Sequence, residues 1–427
     1  MGEEAAIGGS GKSGKALRDA LRSVKRSDEE QAKRLVDGSA MRDLLSAIER
    51  ASDHLLAFPI QESATPGELR AQAMRYLLGL VQTGIAQTSQ LSDPNYPKII
   101  RSPDSETKWG AENVDNQYLW CRVSPESSYL VRGNRENVFE ALLETKDGYM
   151  QLGDDQVFDT LLLTDCQCEA NGDFEILLAA EKPSDWSGNF MAMPPETQYW
   201  CVRQYFADWE VERPARFEIE RIDGLGIPAL PLEAHRMADY LDEAALWIEQ
   251  TTVFWQEWVT QLRDDHEKGR LMEAAPFVGG ADDIVYGNDW WSLDLDEAMI
   301  VEFEAPDARY WQIQLCDVWF RTMDWATHQT GLNHTQAWVH SDGRARFVFS
   351  AEDPGVQNWI DTMGTREGMI QYRYIWSKNR PAPSVTICKF ADLKSHLPAD
   401  TPSFDEEARR AQLAIRHRHV ARREPVT

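Results

Sequence analysis

Residues 334–340, His-Thr-Gln-Ala-Trp-Val-His, and 345–350, Ala-Arg-Phe-Val-Phe-Ser, flank Ser341-Asp342-Gly343-Arg344. Asp-Gly inside a short link supplies the left-handed backbone that a tight turn needs, and the flanking runs mix apolar and polar side chains as half-buried strands do. The stretch reads as an antiparallel hairpin. Comparable short runs, bounded by Gly, Asn, Asp and Pro, recur at 118–123, 129–132, 174–178, 199–206 and 217–222, and a second block spans 292–390. Their number and spacing predict antiparallel sandwiches or barrels.

Between the two blocks the period changes to helical over 231–268, with Trp247, Phe254, Trp255 and Trp258 loading one side. Ahead of them, 15–91 is helical in pattern: Leu17, Leu21 and Val24 form one stripe, and Leu44, Leu45 and Ile48 another. Thr65-Pro66-Gly67-Glu68 has a hydroxyl cap, proline at the first position and a glutamate to close a capping box. Ser403 with Glu406 predicts the start of a final helix. The expected class is mainly β with helical additions: two antiparallel β-sandwich or jelly-roll-like domains joined by a long helix, with an N-terminal helical region. The expected parts are a flexible leader (1–14), helical region (15–92), first β domain (93–230), connecting helix (231–284), second β domain (285–398) and C-terminal helix with basic tail (399–427). No internal repeat of fixed period is visible.

With 427 residues, 42% of them apolar and 16 of them Trp, the chain can bury substantial cores. A net charge of −26 repels polyanions, so no nucleic-acid partner is expected. Only the ends are basic: 12–34 carries eight Lys/Arg against four Asp/Glu, and 409–423 is rich in Arg and His. Both read as solvated helix faces. Without an 18-residue apolar run or a secretory leader pattern, neither a membrane partner nor secretion is expected. Cys121, Cys166, Cys168, Cys201, Cys316 and Cys388 lack zinc-type spacing and read as reduced thiols of a cytoplasmic protein.

Residues 6–13, Ala-Ile-Gly-Gly-Ser-Gly-Lys-Ser, match a permissive phosphate-loop pattern. A working loop follows a buried strand, and only five residues precede this one, so it reads as a leader. His334 and His340, six apart on one presumed strand, would stand roughly 20 Å from each other and cannot share an ion. No metal and no organic cofactor is expected.

The densest cluster of aromatic and hydrogen-bonding residues lies between 286 and 376, where a pocket is expected. Asp317, Arg321, Asp324 and His328 are its candidate catalytic groups. Arg321, in a polar stretch after a strand end, offers a five-donor cation as ligand anchor, or else a brace for a buried Asp; Asp317 or Asp324 offers a base. Asp324 and His328, four apart, suit a carboxylate-oriented imidazole or a structural pair. Trp290, Trp311, Trp319, Asn333, Asn358, Trp359 and Arg373 are candidate substrate-binding residues, although most tryptophans of a sandwich belong to its core. Asp115-Asn116 and Arg203-Gln204 form a weaker polar set in the first block.

Tyr310-Trp311, Leu315-Cys316-Asp317-Val318-Trp319, His328-Gln329-Thr330-Gly331-Leu332-Asn333, Asp342-Gly343-Arg344, Asp353-Pro354-Gly355, Asn358-Trp359 and Arg373-Tyr374-Ile375-Trp376 resemble in combination a bacterial family, domain of unknown function 1214. The resemblance covers 286–397 well and implies β-sandwich or jelly-roll domains with helices between them; it implies no reaction and no catalytic residue. The residues point to a small-molecule-processing protein, a cofactor-independent enzyme on an apolar or aromatic-ring compound bearing an oxygen function, in a pocket of the second β domain. The alternatives are a carbohydrate or small-ligand binder without catalysis and a self-assembling structural protein; a homo-oligomer is compatible with each.

Overall fold

A computed structural model describes residues 26–59, 67–90, 93–154, 156–276 and 284–424. The leader with its glycine run, the Leu17/Leu21/Val24 stripe and the Thr65-Pro66 cap lie outside the described residues. The chain is mainly β: eighteen strands in four sheets, with helices α1 (Asp28–Val36), α2 (Ser39–Ala57), α3 (Glu68–Ile85), α4 (Ala234–Asp264) and α5 (Glu406–Arg423) among the described residues. Ser27 and Glu30 close a capping box at α1, as short polar side chains do where backbone N–H groups lack partners.

The first β domain pairs β2 (Asn116–Arg122), β8 (Tyr199–Tyr205), β4 (Glu140–Lys146) and β5 (Val157–Leu162), with the short β1 (Ile100–Arg101) at the edge, in the order β1-β2-β8-β4-β5. Against it lies β7-β6-β3-β9, comprising β3 (Tyr129–Asn134), β6 (Asp173–Ala179), β7 (Asn189–Ala192) and β9 (Arg216–Arg221). Alternate residues fill the space between: Cys121, Val131, Leu143, Ile176, Trp200 and Val202 belong to one buried cluster.

The second domain repeats this wiring strand for strand. Its sheets run β10-β11-β17-β13-β14 and β16-β15-β12-β18, each number nine higher than its counterpart. The strands are β10 (Ala275–Pro276), β11 (Ile284–Ser292), β12 (Glu297–Glu304), β13 (Ala308–Cys316), β14 (Gly331–Asn333), β15 (Arg344–Ser350), β16 (Trp359–Asp361), β17 (Glu367–Ser377) and β18 (Ser384–Lys389). Even the rare parallel pairs correspond, β6 with β7 and β15 with β16. No fixed sequence period announces the duplication, because many side-chain sets satisfy one pattern of alternation and turns.

The outer faces of sheets β1-β2-β8-β4-β5 and β10-β11-β17-β13-β14 meet, so the molecule is a stack of four sheets. Leu142, Tyr205, Ile284, Tyr310 and Ile375 form an apolar seam between the domains. Tyr310 of the second domain donates 2.5 Å to Asp115 of the first, and the Arg309 guanidinium lies 2.7 Å from the buried Glu140 carboxylate. Helix α4 lies with α1, α2 and α3 along one side; its Trp247 and Trp255 share a buried cluster with Trp109 and Trp120 of the first domain and Trp290 and Trp319 of the second.

Three local expectations are corrected. The turn at 341–344 is present, with Gly343 left-handed at φ +81°, but 334–340 is not a strand and touches β15 only through a bridge between Val339 and Ala345. The Asn333 side-chain oxygen accepts from the Thr335 and Gln336 N–H groups, and this turn ends β14 before a hairpin arm can form. Helix α5 is capped by Asp405, whose carboxylate accepts from Ala408 N–H, while Ser403 bridges to Val356. The basic tail is not a solvated face: Arg409, Arg416, His419 and Arg423 are buried in contact with both domains.

Candidate functional site

Facing sheets bury whatever side chains their outer faces carry, and beside the apolar seam those faces are polar and aromatic. Asn116, Tyr118 and Trp120 alternate along β2, Arg203 and Tyr205 along β8, Tyr286 and Asn288 along β11, and Gln371 and Arg373 along β17. Together they wall a cavity of about 180 Å³ at the domain junction. Trp255 and Trp258 of α4, with Trp109, Tyr149 and Phe320, close its apolar part. Trp120 stacks on Tyr149 at 4.6 Å between ring centres, and Phe320 meets Trp258 edge-on at 4.3 Å.

The duplication places two arginines in equivalent positions. Arg203 on β8 pairs in register with Tyr118 on β2, and Arg373 on β17 pairs with Tyr286 on β11. Arg203 is held at 3.1 Å by Glu144. Arg373 stands over the Tyr286 ring at 5.4 Å and donates through Nη2 to the Ala111 carbonyl at 2.7 Å, while its buried Nη1 has no hydrogen-bond partner among the described residues. Lys146 adds a third cation, 5.6 Å from the Trp120 ring. Among the described residues Glu112 is the only acid in the cavity lining; burial pushes its carboxyl up to about 7, against the opposing pull of Lys108. Cations, aromatic rings and one acid of raised pKa can hold an oxygen-bearing head on a flat apolar body.

Of the candidate catalytic and substrate-binding residues, Arg373 lines this cavity. Asp317, Trp319, Arg321 and Asp324 line another, of about 240 Å³, between α3 and the loop that follows β13. There Arg321 bonds Asp317 at 2.8 Å and Gln72 of α3 at 3.1 Å, and it stands over the Tyr76 ring. Asp324 accepts from the Ala326 and Thr327 N–H groups and does not bond His328, which pairs with Asp361 at 2.8 Å on a half-exposed surface. Trp311 is in the core of the second sandwich and Trp290 faces the helical layer. Asn333 donates to Asp115 in the seam; Asn358 donates to the Trp338 and Arg346 carbonyls. Trp359 donates to the Ser350 carbonyl beneath the Arg409 guanidinium. Trp311, Arg321, His328 and Asn333 therefore do not converge, and the larger share of the junction cavity wall comes from outside the second domain.

The weaker polar set contains two residues of this site, Asn116 and Arg203. Glu112 and Lys146 carry no sequence signal, since nothing in their neighbours distinguishes them from surface charges. Among the described residues no group of three or more His, Cys, Asp or Glu is placed to hold a metal ion, and no helix is long and apolar enough to cross a membrane.

Residues 266–386 match the sequence profile described as Protein of unknown function (DUF1254), a family of unknown function other than the 1214 family that the motifs resemble. The chain is similar to an uncharacterized protein from Burkholderia cenocepacia, with 29% identity and a TM-score of 0.77 over 84% of this chain and 99% of that one. A protein from Vibrio parahaemolyticus is 11% identical, with a TM-score of 0.41 over 80% of this chain and 100% of that one. No curated protein matches the chain.

Proposed function

We propose that the protein binds and processes a small compound with an apolar or aromatic ring and an oxygen-bearing head, in the cavity between its two β domains. The observation that carries this reading is the pairing of an aromatic end with two arginines from equivalent positions, one of which keeps an unpartnered buried N–H. A buried donor left unpaired costs roughly 1 to 3 kcal/mol, which a ligand oxygen would recover. Size narrows the ligand. A cavity of roughly 150 Å³ takes one benzene-sized molecule, so 180 Å³ suits a single ring with a short polar arm.

The test is calorimetric titration and thermal shift with benzoate and phenylpyruvate. Binding to the wild type, weakened about tenfold or more in Arg373→Gln as expected for loss of a charge-assisted bond, supports the reading. Failure of both compounds to bind, or equal binding by the variant, overturns it.

A further inference from the structure

The two arginines that the duplication puts at equivalent positions differ in what surrounds them. Beside Arg203 the neighbouring strand β4 carries Leu142 in direct register and Glu144 two residues on; beside Arg373 the equivalent strand β13 carries Gln312 and Gln314. The Glu144 carboxylate lies 3.1 Å from Arg203 and neutralises it. Gln314 cannot do the same for Arg373, and its amide is already engaged: it donates to the Glu112 carbonyl and to Gln371, and accepts from the Val114 N–H. Arg373 is therefore a cation of 5% exposure without a carboxylate partner among the described residues. The acid of the lining does not answer it, because the Glu112 carboxyl accepts from the Thr322 hydroxyl and lies in the field of Lys108 and Arg321. A buried charge without a counter-ion costs far more than a neutral polar group left unpaired.

The groups around Arg373 are donors. Its guanidinium stands over Tyr286 and bonds the Ala111 carbonyl, both in the cavity wall, and leaves Nη1 open. Tyr118 of the first domain lies in the field of both arginines, and its hydroxyl oxygen accepts from the Asn113 N–H at 2.9 Å, so that its proton points to an acceptor not found among the described residues. Gln371 donates to the Asn288 side-chain oxygen at 2.7 Å, which leaves the Asn288 amide nitrogen as a further donor to the cavity.

Resting on the reading that this cavity takes a ring compound with an oxygen-bearing head, we propose that the head is a carboxylate seated on Arg373, supplying from the ligand the counter-ion that Glu144 supplies to Arg203. The protein then takes aryl monocarboxylates and refuses their neutral and cationic isosteres. An ionised carboxylate only accepts hydrogen bonds and matches the flat guanidinium edge. Asn116 Oδ1 and Gln151 Oε1 are open acceptors in the same lining and would suit an amide head. Charge decides between the two, since an amide leaves Arg373 uncompensated whereas a carboxylate leaves only two neutral acceptors unpaired. The attraction has to be local, because the chain as a whole carries −26 and repels anions.

The experiment is calorimetric titration of the full chain, at fixed ionic strength, with four compounds that share one ring: benzoate, benzamide, benzylamine and phenyl phosphate. The expected result is benzoate bound at least about tenfold more tightly than benzamide or phenyl phosphate, with no heat of binding from benzylamine. Gln314→Glu, which gives Arg373 the carboxylate that Arg203 has, is expected to lower benzoate affinity about tenfold or more and to leave benzamide affinity unchanged. Benzamide bound as tightly as benzoate, phenyl phosphate bound more tightly, or benzoate affinity unmoved in a folded Gln314→Glu overturns the carboxylate head and leaves the ring site standing. Failure of all four compounds to bind overturns the reading of the cavity itself. Should Gln314→Glu not fold, the wild-type ratio of benzoate to benzamide affinity decides the proposal without it.

Discussion

Arg321 shows how one residue type serves two roles that local sequence does not separate. It follows a strand end in a polar stretch, which suits a ligand anchor, yet it is nine-tenths buried with Asp317 and bonded to Gln72 of α3. Those partners make it a brace between the N-terminal helices and the second domain. Arg321→Ala is expected to leave Asp317 as an uncompensated buried charge and to cost roughly 3 to 5 kcal/mol. Thermal unfolding checks this: a melting temperature lowered by many degrees, with phenylpyruvate affinity preserved in the folded fraction, is the expected pair of results. An intact melting temperature with lost affinity would restore the anchor. Arg373 was legible because it stands in a recognisable aromatic strand. Glu112 was not, since its raised pKa comes from burial, which only the fold creates.

Helix α5 carries the same lesson at the scale of an element. Positions 409, 416, 419 and 423 fall on one helical face, but the residues are Arg and His, so no apolar period marks that face as buried. Their burial works because each meets an aromatic ring: Arg423 lies 4.1 Å from the centre of the Trp325 ring, Arg416 lies 4.8 Å from that of Trp209, and His419, kept neutral by burial and the neighbouring arginines, stacks on Trp209. Arg416 also donates to the Gly331 and Trp325 carbonyls at 2.6 and 3.3 Å. Arg416→Ala should cost roughly 2 to 4 kcal/mol in chemical denaturation through carbonyls left unpaired and packing lost. The exposed neighbour Arg418, changed to Ala, should move stability by less than about 0.5 kcal/mol. Equal effects would return α5 to the solvated helix that its charge suggests.

On the scale of the whole molecule, the two sandwiches are not independent beads on a helical linker. Helix α4, helix α5 and the seam around Tyr310 each bind both of them. Calorimetry of the full chain is therefore expected to give one transition with equal calorimetric and van't Hoff enthalpies. A chain ended at Asp405, lacking α5, should unfold at lower temperature with broadened or divided transitions. Two resolved transitions in the intact chain would show that the junction, and the cavity within it, is a loose contact.

By itself the sequence determined the class of fold, the order of helical and β blocks, and the turn at 341–344. These rest on local physics: side-chain periodicity, capping residues and the few residue types that tolerate left-handed backbone. Tertiary structure alone decided that the polar outer faces of the central strands meet one another. Asn116, Arg203, Gln371 and Arg373 alternate with core residues exactly as solvent-facing side chains would, and only the second sheet laid over them converts that face into a pocket. The duplicated wiring that puts Arg203 and Arg373 at equivalent positions is likewise a property of strand order, which no stretch of sequence carries.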